Sequence, residues 1–345
     1  MTRAAFPRER SGAARRSGGP VRLVPIAAGL AGLALIAALI LHFGAAAVAR
    51  SLRAIGWTGF AAVCLIHLGL IAVMGIAWRA LLPGTRPWIP IWGRLVRDSA
   101  AEVLPLSQVG GYVAGARAAV FAGLGGTTAA ASTIVDVTLE FVAQLAYTAI
   151  ALLLLLHFRP DAKLALPAGI GLAAASVLAA LFLIAQRHGF NLLHRFARVL
   201  GRGWADRTAS GAAALHAALL GIHARKTGLF ASFSLHLACW IASAIEVWLA
   251  LRFAGSPLGF PTVLVIEGLL YALRTAAFAV PNAVGVQEAG YVLLGATFGL
   301  TPEMALALSL LKRARDFAIG LPALAAWQLA ESHRLWRRAA RRRGA

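Results

Sequence analysis

A chain of 345 residues that is 60% hydrophobic and only 13% charged, with a mean hydropathy of +0.76, carries too few polar groups to cover a water-soluble core. Its apolar windows reach the roughly 20 residues that cross about 30 Å of hydrocarbon as helix, so the class expected is an all-α polytopic membrane protein. The formal net charge of +20 would point to nucleic acid on a soluble chain. Here the basic residues gather at segment ends, where anionic lipid headgroups meet them, and nucleic acid is set aside.

In chain order, residues 1–22 form a basic tail containing Arg3, Arg8, Arg10, Arg15, Arg16 and Arg22. Segment one follows at 23–43. The small residues GAAAVA at 44–49 resemble a signal-cleavage site, but the apolar run exceeds the usual signal core, which favours a retained anchor. Segment two runs 57–81 and ends at Trp78 and Arg79. Residues 90–126 contain EVLPLSQVGG at 102–111 and are too polar for a lipid-facing span. Segments three and four cover 128–156 and 164–185, closing a first membrane part at 23–185.

Residues 186–227 are the longest polar stretch and carry seven basic residues from Arg187 to Lys226. They read as a cytoplasmic loop with amphipathic helices lying on the membrane surface. The second membrane part, 228–328, holds segment five at 228–253, an apolar region at 259–300 broken by VPNAVGVQEAG at 280–290, and a last segment at 303–328. A basic tail, 329–345, follows. The positive-inside rule puts both termini and the loop in the cytoplasm of a cell whose inner membrane the chain spans about six times.

The chain also repeats itself weakly. A constant offset of 176 lays Pro105 on Pro281, Gly123 on Gly299, Leu124 on Leu300, Glu140 on Asp316, Phe141 on Phe317 and Asp136 on Lys312, while His67-Leu68 resembles His236-Leu237 at another offset. Counting crossings with the loop inside makes the broken elements enter from opposite faces, the arrangement of two inverted repeats. Pro105, Gly110, Gly111, Pro281 and Gly285 free backbone groups that lipid cannot satisfy. Both broken elements, re-entrant or fully spanning, are therefore expected to line a shared polar cavity near the midplane.

Charges at bilayer depth cost about 2.5–3.5 kcal/mol each on insertion scales and seek partners or water. Arg94, Asp98 and Glu102 recur at helical spacing, as do Glu267, Tyr271 and Arg274. One reading of Asp136, Glu140, Lys312, Arg315 and Asp316 is internal pairing, with the two acids of segment three neutralising Lys312 or Arg315 of the last segment. Lys312 and Asp316 would then share a face from which Arg313 and Arg315 point away. The other reading assigns Glu102, Gln108, Tyr112, Arg117, Arg274, Glu288 and Lys312 to a cavity that meets a lipid headgroup, with Glu288 or Glu140 available to carry a proton. His67 and His236 read as satisfied core groups, and Cys64 and Cys239 as buried apolar residues. No P-loop, metal-spaced Cys/His cluster or G-x-S-x-G elbow occurs, so no cofactor and no enzyme are expected.

LPLSQVGG with GAR at 104–117, VPNAVGVQEAGYVLLG at 280–295 and LSLLKRARDFAIGLPALAAWQ at 308–328 resemble the lysylphosphatidylglycerol synthetase transmembrane-region family, also called flippase-like, and within it the hopanoid-biosynthesis-associated HpnL branch. The resemblance covers roughly residues 24–330. It implies an inner-membrane protein that moves lipids, here hopanoids or other envelope lipids. Its motif residues fall on Pro105, Gln108, Gly110, Gly111, Pro281, Gly285 and Glu288. The soluble aminoacyl-transfer domain of full-length synthetases has no counterpart before Ala345, so aminoacyl-lipid synthesis is not carried over. The alternatives to lipid translocation are a scaffold for envelope-lipid enzymes and an intramembrane lipid transferase. The oligomeric state is left open.

Overall fold

The structure, a computed structural model, describes residues 34, 37, 38, 40–42, 45–104, 108–161, 163, 165–200, 202–277 and 280–343, without the side chains of 185–200, 202–210, 281 and 334–343. Segment one and Pro105 thus lie largely or wholly outside the description. The described residues form ten α-helices and no strand: α1 (Ala45–Ala80), α2 (Trp88–Val103), α3 (Gln108–Phe121), α4 (Gly126–Phe158), α5 (Ala165–Leu200), α6 (Arg202–His223), α7 (Lys226–Phe253), α8 (Phe260–Ala276), α9 (Val286–Thr297) and α10 (Pro302–Arg343).

Length separates two kinds of helix. The helices α1, α4 and α7, together with 165–184 of α5, are long and apolar enough to cross a membrane. At about 1.5 Å per residue, α2 and α3 reach only about 24 and 21 Å, short of a 30 Å core. The broken elements are accordingly helical hairpins, α2–α3 and α8–α9. The 42-residue α10 is long enough to span, and its interior charges are met by neighbouring helices as described below.

What turns these helices inward is a polar stripe. In α4, Ser132, Asp136, Glu140, Gln144 and Thr148 recur every fourth residue and all are buried, while Leu153 and Leu156 on the other side are exposed. In α7 the buried stripe is Ser232, His236, Ser243 and Glu246. Lipid rewards no apolar burial between helices, so close contact and polar pairing hold them together. The α2–α3 hairpin shows this directly. A Cβ on Gly115 would lie 2.6 Å from the Arg97 Cβ and 2.7 Å from the Gly93 carbonyl, and one on Gly111 2.8 Å from the Arg97 carbonyl.

Several helix contacts recur when the two halves are exchanged. Helix α1 lies along α7, α4 packs on α8 as α10 packs on α2, and α1 meets α10 as α7 meets α4. The turns leading into α4 and α10 are alike in detail. Gly123 and Gly299 both have positive φ (113° and 80°). Leu124 N–H donates to the Ala119 carbonyl and Leu300 N–H to the Gly295 carbonyl, each at 3.0 Å. Both are Schellman endings, and only glycine takes the left-handed position without a steric penalty.

The boundary expected near residue 185 marks a change of composition, not of structure, because α5 continues to Leu200. Nor does the end of α6 lie free on a surface: Leu219 and Ile222 are buried against Trp78 and Val135, and Arg225 donates to the Leu81 carbonyl at 3.0 Å. The arginines at 187, 195, 198, 202 and 207 have side chains outside the description.

Candidate functional site

The second break is a strained turn. Asn282 and Ala283 have φ of 49° and 45°, and Gly285, which caps α9, has φ of 82°. A left-handed pair without glycine costs about 1–2 kcal/mol per residue and persists only when its surroundings hold it. They do: Arg313 of α10 donates to the carbonyls of Asn282 and Ala283, each at 3.5 Å. The Asn282 Nδ2 then donates to the backbone carbonyl of Glu102 at 2.6 Å. That carbonyl sits at the open C-terminal end of α2, where helices leave acceptors unpaired. One break therefore caps the other.

Side chains tighten the join. Arg274 Nη2 donates to both carboxylate oxygens of Glu102 at 3.0 Å and to Asn282 Oδ1 at 3.2 Å. Around it opens a cavity of about 320 Å³ whose wall includes Gln108 and Tyr112 of the first hairpin and Tyr271, Arg274 and Asn282 of the second. The longer helices add His67 from α1, Glu140 and Gln144 from α4, Trp240 and Glu246 from α7, and Arg315 and Asp316 from α10.

Every charge on this wall is committed. Arg94 makes a two-pronged contact with Glu140 at 2.9 and 2.7 Å and reaches Asp98 at 2.7 Å. Arg97 bonds Asp136 at 3.0 Å and Glu140 more tightly, and lies over the Tyr112 ring at 4.6 Å. His236 Nε2 is 2.9 Å from Asp136 Oδ1. Arg315 holds Asp316 through Nε at 3.0 Å and Nη2 at 2.6 Å, and also contacts Glu246, which His67 Nδ1 meets at 3.0 Å. Such pairs balance desolvation against attraction and mostly fix register.

The sequence-level assignments are redistributed accordingly. Glu102, Gln108, Tyr112 and Arg274 line the cavity, whereas Arg117, Glu288 and Lys312 do not. Arg117 is largely exposed and pairs with Glu331. Glu288 is a cap: its carboxylate accepts from the Gly285 N–H at 2.8 Å, Ser309 Oγ at 2.8 Å and Arg313 Nε at 2.6 Å. Lys312 is buried on Glu267 at 2.6 Å, with the rings of Tyr271 and Tyr291 at 5.0 and 5.7 Å.

The expected neutralisation of Asp136 and Glu140 by Lys312 or Arg315 is replaced by pairing with α2, since Arg94 and Arg97 stand nearer. Arg315 does not point away from Asp316 but folds back onto it. Gly110 and Gly111 lie inside α3, not at the break. Gly111 serves hairpin contact instead.

Reading the sequence missed Arg97, Asn282 and Arg313 as organisers and Glu246 as a cavity acid. Glu246 was detectable as a lone acid in an otherwise apolar span, which by itself flags a site. Among the described residues, no group of three or more His, Cys, Asp or Glu is placed to hold a metal ion.

These features define a polytopic α-helical membrane protein with a charged cavity enclosed where two broken hairpins meet. The chain belongs to the lysylphosphatidylglycerol synthase TM region family, whose model matches residues 26–323. Membership relates it to membrane proteins that handle lipids. Comparison with curated proteins and with solved structures gave no match.

Proposed function

We propose that this protein translocates a lipid, the headgroup passing through the charged cavity while the tail stays in the bilayer. The observation that carries the reading is the meeting of both helix breaks on one polar hollow, since irregular backbone at membrane depth survives only against protein or a wet cavity. On this reading the halves are inverted repeats, supported by their exchangeable packing and their matching Gly123 and Gly299 turns. Rocking of one half against the other exposes the cavity alternately to the two sides. The membrane is the cell inner membrane, with both termini cytoplasmic and the basic tails and loop on anionic headgroups. The substrate is a hopanoid or another envelope lipid, and no chemical step is performed on it.

The test fills the hollow. Thr275 lines it from an exposed position on α8, so Thr275→Trp places an indole in about 320 Å³ and removes the hydroxyl that accepts from Gln144 Nε2 at 2.5 Å, a loss that Thr275→Val reproduces without the bulk. Purified protein in vesicles carrying labelled phospholipid or hopanoid should move label between leaflets. The Thr275→Trp variant should move it at least tenfold more slowly than Thr275→Val, at the same melting temperature as Thr275→Val. Wild-type protein no faster than protein-free vesicles with every lipid, or a Thr275→Trp variant as fast as wild type, would overturn the proposal in favour of a scaffold.

A further inference from the structure

The ionisable groups joined to the cavity wall by ion pairs fall, among the described residues, into three sets. Arg274 and Glu102 form a neutral pair. Arg94 and Arg97 face three carboxylates, Asp98, Asp136 and Glu140. Arg315 faces two, Glu246 and Asp316. The second and third sets each hold one carboxylate more than guanidinium, and each has one histidine seated on a carboxylate: His236 on Asp136, His67 on Glu246. A net negative charge enclosed by helices at membrane depth is costly, and one proton per set removes it.

We infer that His67 with Glu246 is an exchangeable proton-binding site of the cavity, and that His236 with Asp136 is its sealed counterpart. The difference is access. The His67 side chain is 24% exposed and lines the cavity, whereas His236 and Asp136 are both 0% exposed. With its Nδ1–H donated to Glu246 at 3.0 Å, the His67 ring takes up a proton from cavity water at Nε2 and returns it to water when released. His236 Nδ1, with no hydrogen-bond partner among the described residues, has no such exit.

The charged and titratable groups around His67 come from every helix packed on it. They are Glu246 and Cys239 on α7, Arg315, Asp316 and the more distant Lys312 on α10, Arg94, Arg97, Asp98 and Glu102 on α2, Tyr112 on α3, Glu140 on α4, Tyr271 and Arg274 on α8 and Cys64 on α1 itself. Glu246 and Asp316 share the single guanidinium of Arg315, which leaves the excess charge of this set beside His67. If the cavity carries lipid as proposed above, a headgroup meets a wall whose charge changes by one unit with the pH of the side it faces.

The experiment reads the proton directly. Full-length protein, 15N-labelled at its nine histidines and held in lipid nanodiscs, gives an imidazole signal assigned to His67 by its loss in His67→Gln. Followed across a pH series, that ring should keep its proton to higher pH in the wild type than in Glu246→Gln, where the carboxylate excess is gone. Asp316→Asn should act likewise and guards against misfolding of the first variant. A wild-type ring that takes up no proton anywhere in the series, or uptake unchanged in both variants, overturns the inference. Translocation is a separate arm: its rate should vary with pH in the wild type and be flat in His67→Gln. A wild type that moves no lipid defeats the proposed function and leaves the imidazole signal to decide the proton site.

Discussion

Arg274 ties the two breaks together, and its removal can be costed. Its side chain is 12% exposed and that of its partner Glu102 24%, between a surface pair worth at most about 1 kcal/mol and a buried pair whose one-sided loss costs about 3–5 kcal/mol. Arg274→Ala should therefore lower unfolding free energy by about 2 kcal/mol, because cavity water partly rescues the stranded carboxylate. Glu102→Gln keeps an acceptor and should cost about half as much. Unfolding in mixed micelles of wild type, both single variants and the double variant should give a coupling of about 1–2 kcal/mol. A coupling below about 0.3 kcal/mol would mean that the breaks are held by backbone contacts alone, refuting the ion pair as their tie.

Two further expectations concern packing and capping. Gly115→Ala forces a methyl against Arg97 and Gly93 and should destabilise by about 1–3 kcal/mol, whereas Gly69→Ala, with nothing within 4 Å, should be neutral or stabilising by melting temperature; equal effects would discredit the hairpin contact. Glu288→Gln removes a buried charge partner of Arg313 and should cost about 3 kcal/mol or more, while Arg117→Ala at the exposed pair with Glu331 should cost at most about 1 kcal/mol, the reverse of what a shared cavity role for both would produce.

The hairpins are readable because Pro105 in the first run, and Pro281 and Gly285 in the second, interrupt otherwise apolar stretches, and a lipid-facing helix does not tolerate that. The same reasoning assigns Glu102 and Arg274 to one cavity but does not pair them, as the structure does. Pairing within the charge set does not follow from it either, because Arg94, Arg97, Lys312 and Arg315 carry the same charge and their neighbours depend on helix rotation that spacing alone leaves free. Glu288 shows the limit most clearly: an acid three residues past a glycine fits both a cavity ligand and a helix cap, and the positive φ of Gly285, invisible in composition, decides for the cap. Asn282 was passed over because a single amide in a turn is ordinary, yet its side chain reaches the other half of the molecule.

That reach of Asn282 to the Glu102 carbonyl has a bearing on biogenesis. The residues that complete the end of α2 are translated some 180 positions after it, so a nascent first half must shelter an open acceptor and an unmatched acid until its sibling arrives. The insertion machinery therefore handles two mutually dependent pieces, and splitting the gene in the 186–227 stretch should yield fragments that mature when synthesised in the same membrane and are degraded when synthesised apart.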